Sequence, residues 1–204
     1  MGPHTLSVPR MRPAEGVTTK DYPHMVSDSE FKKIIAVLRL AVPYTGIILS
    51  TRESAALRNE ILEIGISQVS GASCTGVGGY AQDNMRQENT AQFEVDDNRT
   101  LDEVIRSLCE GGYIPSFCTA CYRQGRTGER FMRLAKTGQI CNVCQPNALM
   151  TLMEYLEDYA AEETKEIGSR VIAEEIEKIE NQKIRQSTKE YIAAIRQGKR
   201  DFRF

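Results

Sequence analysis

Thr45-Gly-Ile-Ile-Leu-Ser50 is a short apolar run bounded by small polar residues, the pattern of a strand buried on both faces of a parallel sheet. The chain alternates on either side of it. Upstream, Ser27-Asp-Ser-Glu30 reads as a capping box, with the serine accepting from a free backbone amide and the glutamate reaching back. Phe31, Ile34, Ile35 and Leu38 then follow at helical spacing. Before them, Thr5-Leu-Ser-Val-Pro-Arg10 alternates like a strand, and residues 11–26, with Pro13 and Pro23, read as a loop. Downstream, Leu57, Ile61 and Leu62 mark a helix. Ile64-Gly-Ile-Ser-Gln-Val69 reads as a further strand ending in the loop Ser70–Tyr80. Strand, helix, strand, helix, strand is the alternation of a parallel α/β sheet. About three strands make neither a closed barrel nor a comfortable open sheet, so the expectation is the end of a larger α/β domain.

The character changes near residue 83. Asp83–Arg99 is polar and reads as a loop, and Thr100-Leu-Asp-Glu103 is a second capping box before Val104, Ile105 and Leu108. Asn147 is expected to cap a helix carrying Leu149, Leu152, Met153 and Leu156. Beyond Glu162 the chain is strongly charged, with Ile167, Val171, Ile172, Ile176 and Ile179 as a narrow apolar stripe. Ser187-Thr-Lys-Glu190 reads as a third capping box and Gly198 as a helix stop. The expected division is an α/β part over 1–83 and a mostly α-helical part over 84–204.

The 204 residues carry 26 Lys+Arg against 28 Asp+Glu, a formal net charge of -2. That balance argues against a nucleic-acid binder held by a global positive field. With 41% hydrophobic residues, a wholly disordered chain is excluded. The uncharged stretch Ile64–Gln82 is interrupted by Gly, Ser and Thr, whereas a membrane span needs about 20 mainly apolar residues. Met1-Gly-Pro-His-Thr has no basic region followed by an apolar core, so no export signal is read and a cytoplasmic location is expected. Six cysteines then read as reduced thiols, suited to metal or redox chemistry.

Four of the six stand as Cys118-Thr-Ala-Cys121 and Cys141-Asn-Val-Cys144, with a gap of 19 residues. Two such pairs are a strong metal signal, because a two-residue spacer turns the chain enough for both sulfurs to face one centre. Zinc would take all four in a closed tetrahedron. A cluster on three thiolates leaves one iron open. The spacing admits both. Arg123, Arg126, Arg130 and Arg133 follow the first pair, either as countercharge for an anionic site or as ordinary helix surface. Cys74 and Cys109 are isolated and expected to pack in a core. Gly76-Val-Gly-Gly-Tyr-Ala81 formally fits a dinucleotide loop but lacks the apolar helix that should follow. Ser50 and Arg52 are two apart, point the same way and suit a carboxylate; Arg52 can equally pair with Glu53 or Glu60.

The stretches GPHTLSVPRMRPA (2–14), TGIILSTRESAALR (45–58), SGASCTGVGGY (70–80), CTACYRQGRTGERFMRLAKTGQI (118–140) and CQPNALMTLMEYLEDYA (144–160) closely resemble the C-terminal part of the [FeFe]-hydrogenase maturases that are radical S-adenosylmethionine tyrosine lyases. The early part is also similar to the biotin- and thiamine-synthesis-associated region. The resemblance implies the last strands of a radical S-adenosylmethionine TIM-type barrel, followed by a helical domain with an auxiliary [4Fe-4S] cluster and an additional iron. The family's auxiliary motif, C-x2-C-x22-C, falls on Cys118, Cys121 and Cys144, and Cys141 lies outside it. His4, at the start of the first strand, is the implied ligand of the additional iron. Ser50 and Arg52, at the opposite end of theirs, are the implied holders of the tyrosine carboxylate. The family cleaves tyrosine to p-cresol and dehydroglycine and converts the latter to CO and cyanide for hydrogenase assembly. S-adenosylmethionine and a second [4Fe-4S] cluster belong to the full-length enzyme. Its radical-generating C-x3-C-x2-C is absent here, so a fragment is expected, inactive alone. Its implied partners are the missing N-terminal barrel half, tyrosine and other hydrogenase maturases, with no nucleic acid or membrane. The alternatives are a non-catalytic zinc module using both pairs, or a thiamine- or biotin-pathway relative.

Overall fold

The computed structural model describes residues 5–14, 16–17, 19–76 and 92–204. Two compact units divide the chain, Met1–Thr100 and Leu101–Phe204.

In the first unit, β1 (Thr5–Ser7), β2 (Gly46–Leu49) and β3 (Gln68–Val69) form a parallel sheet in the order β1-β2-β3. Thr5 pairs with Gly46, and Ile48 with Gln68. Helices α1 (Asp28–Ala41) and α2 (Ala55–Leu62) make the two crossovers, the alternation expected from the sequence. The capping box at α1 is formed as read, with the Glu30 amide donating to Ser27 Oγ (3.3 Å) and the Ser27 amide to Glu30 Oε2 (2.8 Å). Ile47 and Leu49 of β2 are fully buried against Phe31, Ile35, Leu57 and Ile61, with intervening Ile48 only half-buried.

Two strands are shorter than their apolar runs. β1 stops at Ser7, ahead of Pro9, which has no amide for a ladder. The run Ile64–Val69 pairs only at Gln68–Val69. The amides of Ile64 and Gly65 are taken by the end of α2, bonding Ile61 O (3.0 Å) and Leu62 O (3.2 Å). The turn there needs Gly65 at φ +128, and Arg39 clasps its carbonyl through Nε (2.9 Å) and Nη2 (2.6 Å).

Residues 92–100 belong to the first unit, so the division falls after Thr100 rather than at 83. The Asp96 and Asp97 amides both donate to Thr51 O at 3.1 Å, and the Glu94 amide donates to Pro13 O at 3.0 Å. Asp97 also forms a buried ion pair with Arg58 of α2.

The second unit is helical: α3 (Leu101–Glu110), α4 (Ala120–Arg123), α5 (Gly128–Lys136), α6 (Cys141–Asp158), α7 (Glu162–Glu177) and α8 (Gln182–Arg196). α6 packs on α7 and α8, and α3 packs on α7. Its core gathers Leu149, Leu152, Met153 and Leu156 with the expected stripe of Val171, Ile172, Ile176 and Ile179. Asp102 of α3 accepts from Tyr155 Oη (3.1 Å) and Thr164 Oγ1 (2.7 Å), tying α3, α6 and α7. Cys109 is buried in this core, as expected. Two expected caps are corrected. Asn147 lies inside α6, where its side chain bonds the main chain of Phe204 instead. Ser187 lies inside α8, which Asn181 caps. Gly198, at φ +90, follows the end of α8 as read. Among the described residues, no helix is long and apolar enough to cross a membrane.

α6 and α7 meet at Gly168. A Cβ there would stand 2.7 Å from Leu156 Cδ1, and Leu156 is itself fully buried. Alanine gains about 1 kcal/mol of helix propensity, but overpacking costs about 1–3 kcal/mol. Gly168→Ala is therefore expected to lower stability, read as a lower urea midpoint of the helical unit. A midpoint at or above wild type would mean that Leu156 yields.

Candidate metal centre

The thiol-bearing segments of the second unit are built differently. Cys118 precedes α4 and Cys121 lies within it. The Cys118 amide donates to Ser116 Oγ (3.2 Å), while its own Sγ accepts from the Ala120 amide at 3.4 Å. Amide donors of this kind are among the levers by which a protein tunes sulfur ligands. After α4 the chain turns back, with the Arg126 amide donating to Cys121 O at 2.8 Å. Cys141 and Cys144 occupy the first turn of α6, ahead of Pro146, which has no amide to continue the ladder.

All six cysteines are free thiols. Cys118 and Cys121 are half-buried, whereas Cys141 and Cys144 are exposed as residues. The Cys144 sulfur is nevertheless packed closely enough that burial pushes its pKa up to about 11. The Cys121 and then the Cys118 thiols push it the same way, Arg126 opposes them, and Cys141 adds least. Among the described residues, no three His, Cys, Asp or Glu side chains stand as a finished metal cage. Gathering the thiols on one core requires side-chain movement. The donor set is soft sulfur, which suits zinc or iron–sulfur chemistry.

Of the four arginines noted in the sequence, only Arg126 is buried. Its Nη2 donates to the main-chain oxygen of Phe204 (2.6 Å), and its Nε is buried without a partner. Nothing in the spacing singled Arg126 out from Arg123, Arg130 and Arg133; its burial did.

In the first unit, Ser50 and Arg52 follow the C-terminal end of β2, the end where parallel sheets place ligands, but the strand stops at Leu49, so its alternation does not set where they point. Ser50 Oγ accepts from the Arg52 amide at 3.3 Å. The Arg52 guanidinium stacks 3.8 Å from the Phe93 ring centroid, and Nη1 donates to Arg10 O at 3.1 Å. The alternative partners Glu53 and Glu60 are engaged elsewhere, by Arg10 and Lys32. A cavity of about 480 Å³ opens beside β1, lined mainly by apolar side chains including Val8, Phe31 and Ile34. Its cation, Arg10, is already held by Glu53 and Asp28. His4 and the loop from Val77 to Ala81 lie outside the described residues.

The chain is thus a three-stranded parallel α/β unit followed by a helical unit bearing paired thiols. Residues 7–114 match the Biotin and Thiamin Synthesis associated domain, and the chain belongs to that family. Among curated relatives, it is 32% identical over 112 residues to the 2-iminoacetate synthase of Salmonella typhimurium, spanning 55% of this chain and 28% of the relative. To the 2-iminoacetate synthase of Escherichia coli it is 30% identical over 127 residues, spanning 62% and 32%. Among solved structures, it is similar to HydG, a maturase of the [FeFe]-hydrogenase, with 55% identity and a TM-score of 0.93 over 100% of this chain and 43% of that one. The corresponding HydG from Carboxydothermus hydrogenoformans gives 40% identity and a TM-score of 0.70 over 95% and 40%. The chain thus spans less than half the length of each of these proteins.

Proposed function

We propose that this chain supplies the auxiliary metal–sulfur end of a radical S-adenosylmethionine tyrosine lyase that provides CO and cyanide for [FeFe]-hydrogenase assembly. Cys118, Cys121 and Cys144 hold a [4Fe-4S] core in this reading. The likeness to the hydrogenase maturases supports it over a thiamine- or biotin-pathway relative, because it extends over the helical unit as well as the α/β unit. The observation that carries it is the likeness to a maturase of the [FeFe]-hydrogenase, at 55% identity and a TM-score of 0.93 over 100% of this chain.

When bound, a core on three thiolates offers one iron without a protein ligand, the position for an external ligand or a further iron. The chain's own residues do the holding. The Ala120 amide donates to the Cys118 sulfur and fixes its place in the loop. The turn closed by the Arg126 amide and Cys121 O sets where Cys121 points. In the first unit, Arg10 O and the Phe93 ring orient the Arg52 guanidinium, which, with Ser50, takes the tyrosine carboxylate of the whole enzyme. Radical generation requires a C-x3-C-x2-C set that these 204 residues lack, so tyrosine cleavage belongs to the larger assembly. Free thiols throughout suit a reducing cytoplasm.

Metal and acid-labile sulfide analysis after anaerobic reconstitution tests the reading. Iron with sulfide is the expected result. One zinc without sulfide would replace it by the closed four-thiol module, in which Cys141 takes full part.

A further inference from the structure

Residues 92–97 form a strap tied to the segment that follows each of the three strands. After β1, Pro13 O accepts from the Glu94 amide (3.0 Å). After β2, Thr51 O accepts from the Asp96 and Asp97 amides (both 3.1 Å). After β3, Thr75 O accepts from the Gln92 amide (3.2 Å), and Thr75 Oγ1 donates to Phe93 O (2.9 Å). The main chain is therefore fixed on both sides of Phe93. Phe93, Val95 and Asp97 turn inward along it, while Gln92, Glu94 and Asp96 are exposed.

The arginines at this end of the sheet are unequal. Arg10 pairs with Glu53 and Asp28, Arg12 with Asp96, and both Arg58 and Arg99 with Asp97. Arg52, which is half-buried, pairs with no carboxylate among the described residues. Its guanidinium carbon stands 3.8 Å from the Phe93 ring centroid, and Nη1 donates to a neutral main-chain acceptor, Arg10 O (3.1 Å). Nε and Nη2 make no hydrogen bond among the described residues. An aromatic face attracts a guanidinium without using up its N–H donors. The edge formed by Nε and Nη2 is one that grips a carboxylate through two parallel bonds.

We propose that Phe93 is a positioning residue for the carboxylate of an amino-acid ligand: its ring holds the Arg52 guanidinium flat, and Arg10 O fixes its rotation, so that the Nε–Nη2 edge is left for the ligand. This rests on the reading of Arg52 given above as a carboxylate holder. The ring also keeps water from one face of the cation, which strengthens its pull on an incoming anion.

The 204-residue chain is titrated with L-tyrosine and with L-tyrosinamide, which keeps the ring and the amine but replaces the carboxylate. NMR reads both the binding and the Arg52 side-chain protons. In free wild type, the Phe93 ring current is expected to move the protons on Arg52 Nε and Cδ upfield, and tyrosine is expected to bind in preference to tyrosinamide. Phe93→Leu stays apolar but has no π face. It is expected to lose the upfield shift and to weaken tyrosine about three- to tenfold, the scale of one cation–π contact at a half-buried site, with tyrosinamide unchanged. Phe93→Tyr should keep both the shift and the preference. If wild type does not prefer tyrosine, the reading of Arg52 as a carboxylate holder fails. If wild type prefers tyrosine but lacks the upfield shift, the stacking is overturned. If Phe93→Leu keeps the preference, weakens both ligands equally, or is matched by Phe93→Tyr, Phe93 has no positioning role.

Discussion

Asp97→Ala is expected to cost the α/β unit about 3–5 kcal/mol, the scale of stripping one partner from a buried ion pair. The Asp97 side chain is 1% exposed and that of Arg58 2%. Arg58 also donates to Ser70 O, and its Nε is buried without a partner. Arg99 donates to the same carboxylate through Nε (2.9 Å) and Nη2 (2.7 Å). Without Asp97, a fully buried guanidinium keeps one neutral acceptor, and residues 92–100 lose their tie to α2. The pair also sets an acid response. Burial pulls the Asp97 carboxyl upward, but the hydrogen bond from Arg99 and the charge of Arg58 outweigh it, holding the pKa below the ordinary 3.8. A carboxyl depressed on folding contributes stability that is full above its unfolded value and is lost as pH falls through the folded one. Wild type should therefore weaken below about pH 4, and Asp97→Ala should lack that part of the acid limb. Hydrogen exchange at the β2 amides reads both effects. An unchanged exchange rate at Ile47 and Leu49 would contradict the assignment. Arg58→Met with Asp97→Leu should recover much of the loss, since a packed apolar pair of similar volume can replace a buried ion pair.

This pair marks where the sequence ran out. The α1 start was legible because Ser27 and Glu30 sit three apart and satisfy each other locally. The alternation that makes the parallel sheet was legible because Ile47 and Leu49 carry it in one short apolar run. Local signals misled wherever a tertiary partner decided. Asn147 has the composition of a cap but serves Phe204, 57 residues away. Ser187-Thr-Lys-Glu190 has the spacing of a capping box, yet Asn181 starts the helix earlier, and buried Thr188 returns its hydroxyl to Ile184 O (2.7 Å). The division at 83 failed for the same reason, because the polar segment 92–100 is held by Arg58 and Thr51 from far upstream. At the thiols, spacing named the four sulfurs but could not rank them, nor choose Arg126 among four nearby arginines. Burial separates Arg126 from the other three arginines.

The proposed three-thiolate core yields the other large expected effect. Cys118→Ser, Cys121→Ser and Cys144→Ser are each expected to reduce iron–sulfide content by more than about tenfold, at least the lower end of the roughly 10–100-fold losses for residues that merely support ligands. A hydroxyl oxygen is a hard donor with little affinity for such a core, and two remaining thiolates leave it two open corners. Cys141→Ser is expected to keep the core, because Cys141 lies outside the C-x2-C-x22-C spacing of Cys118, Cys121 and Cys144. Loading should also strengthen as pH rises. The Cys144 proton, held up to about 11 by burial and the neighbouring thiols, must leave before sulfur can ligate. Iron and sulfide stoichiometry, with absorbance titrations across pH, measures both. A Cys141→Ser chain that loses the core as completely as Cys144→Ser would place all four thiols on the metal, and the three-thiolate arrangement with its open corner would have to be given up for a closed one.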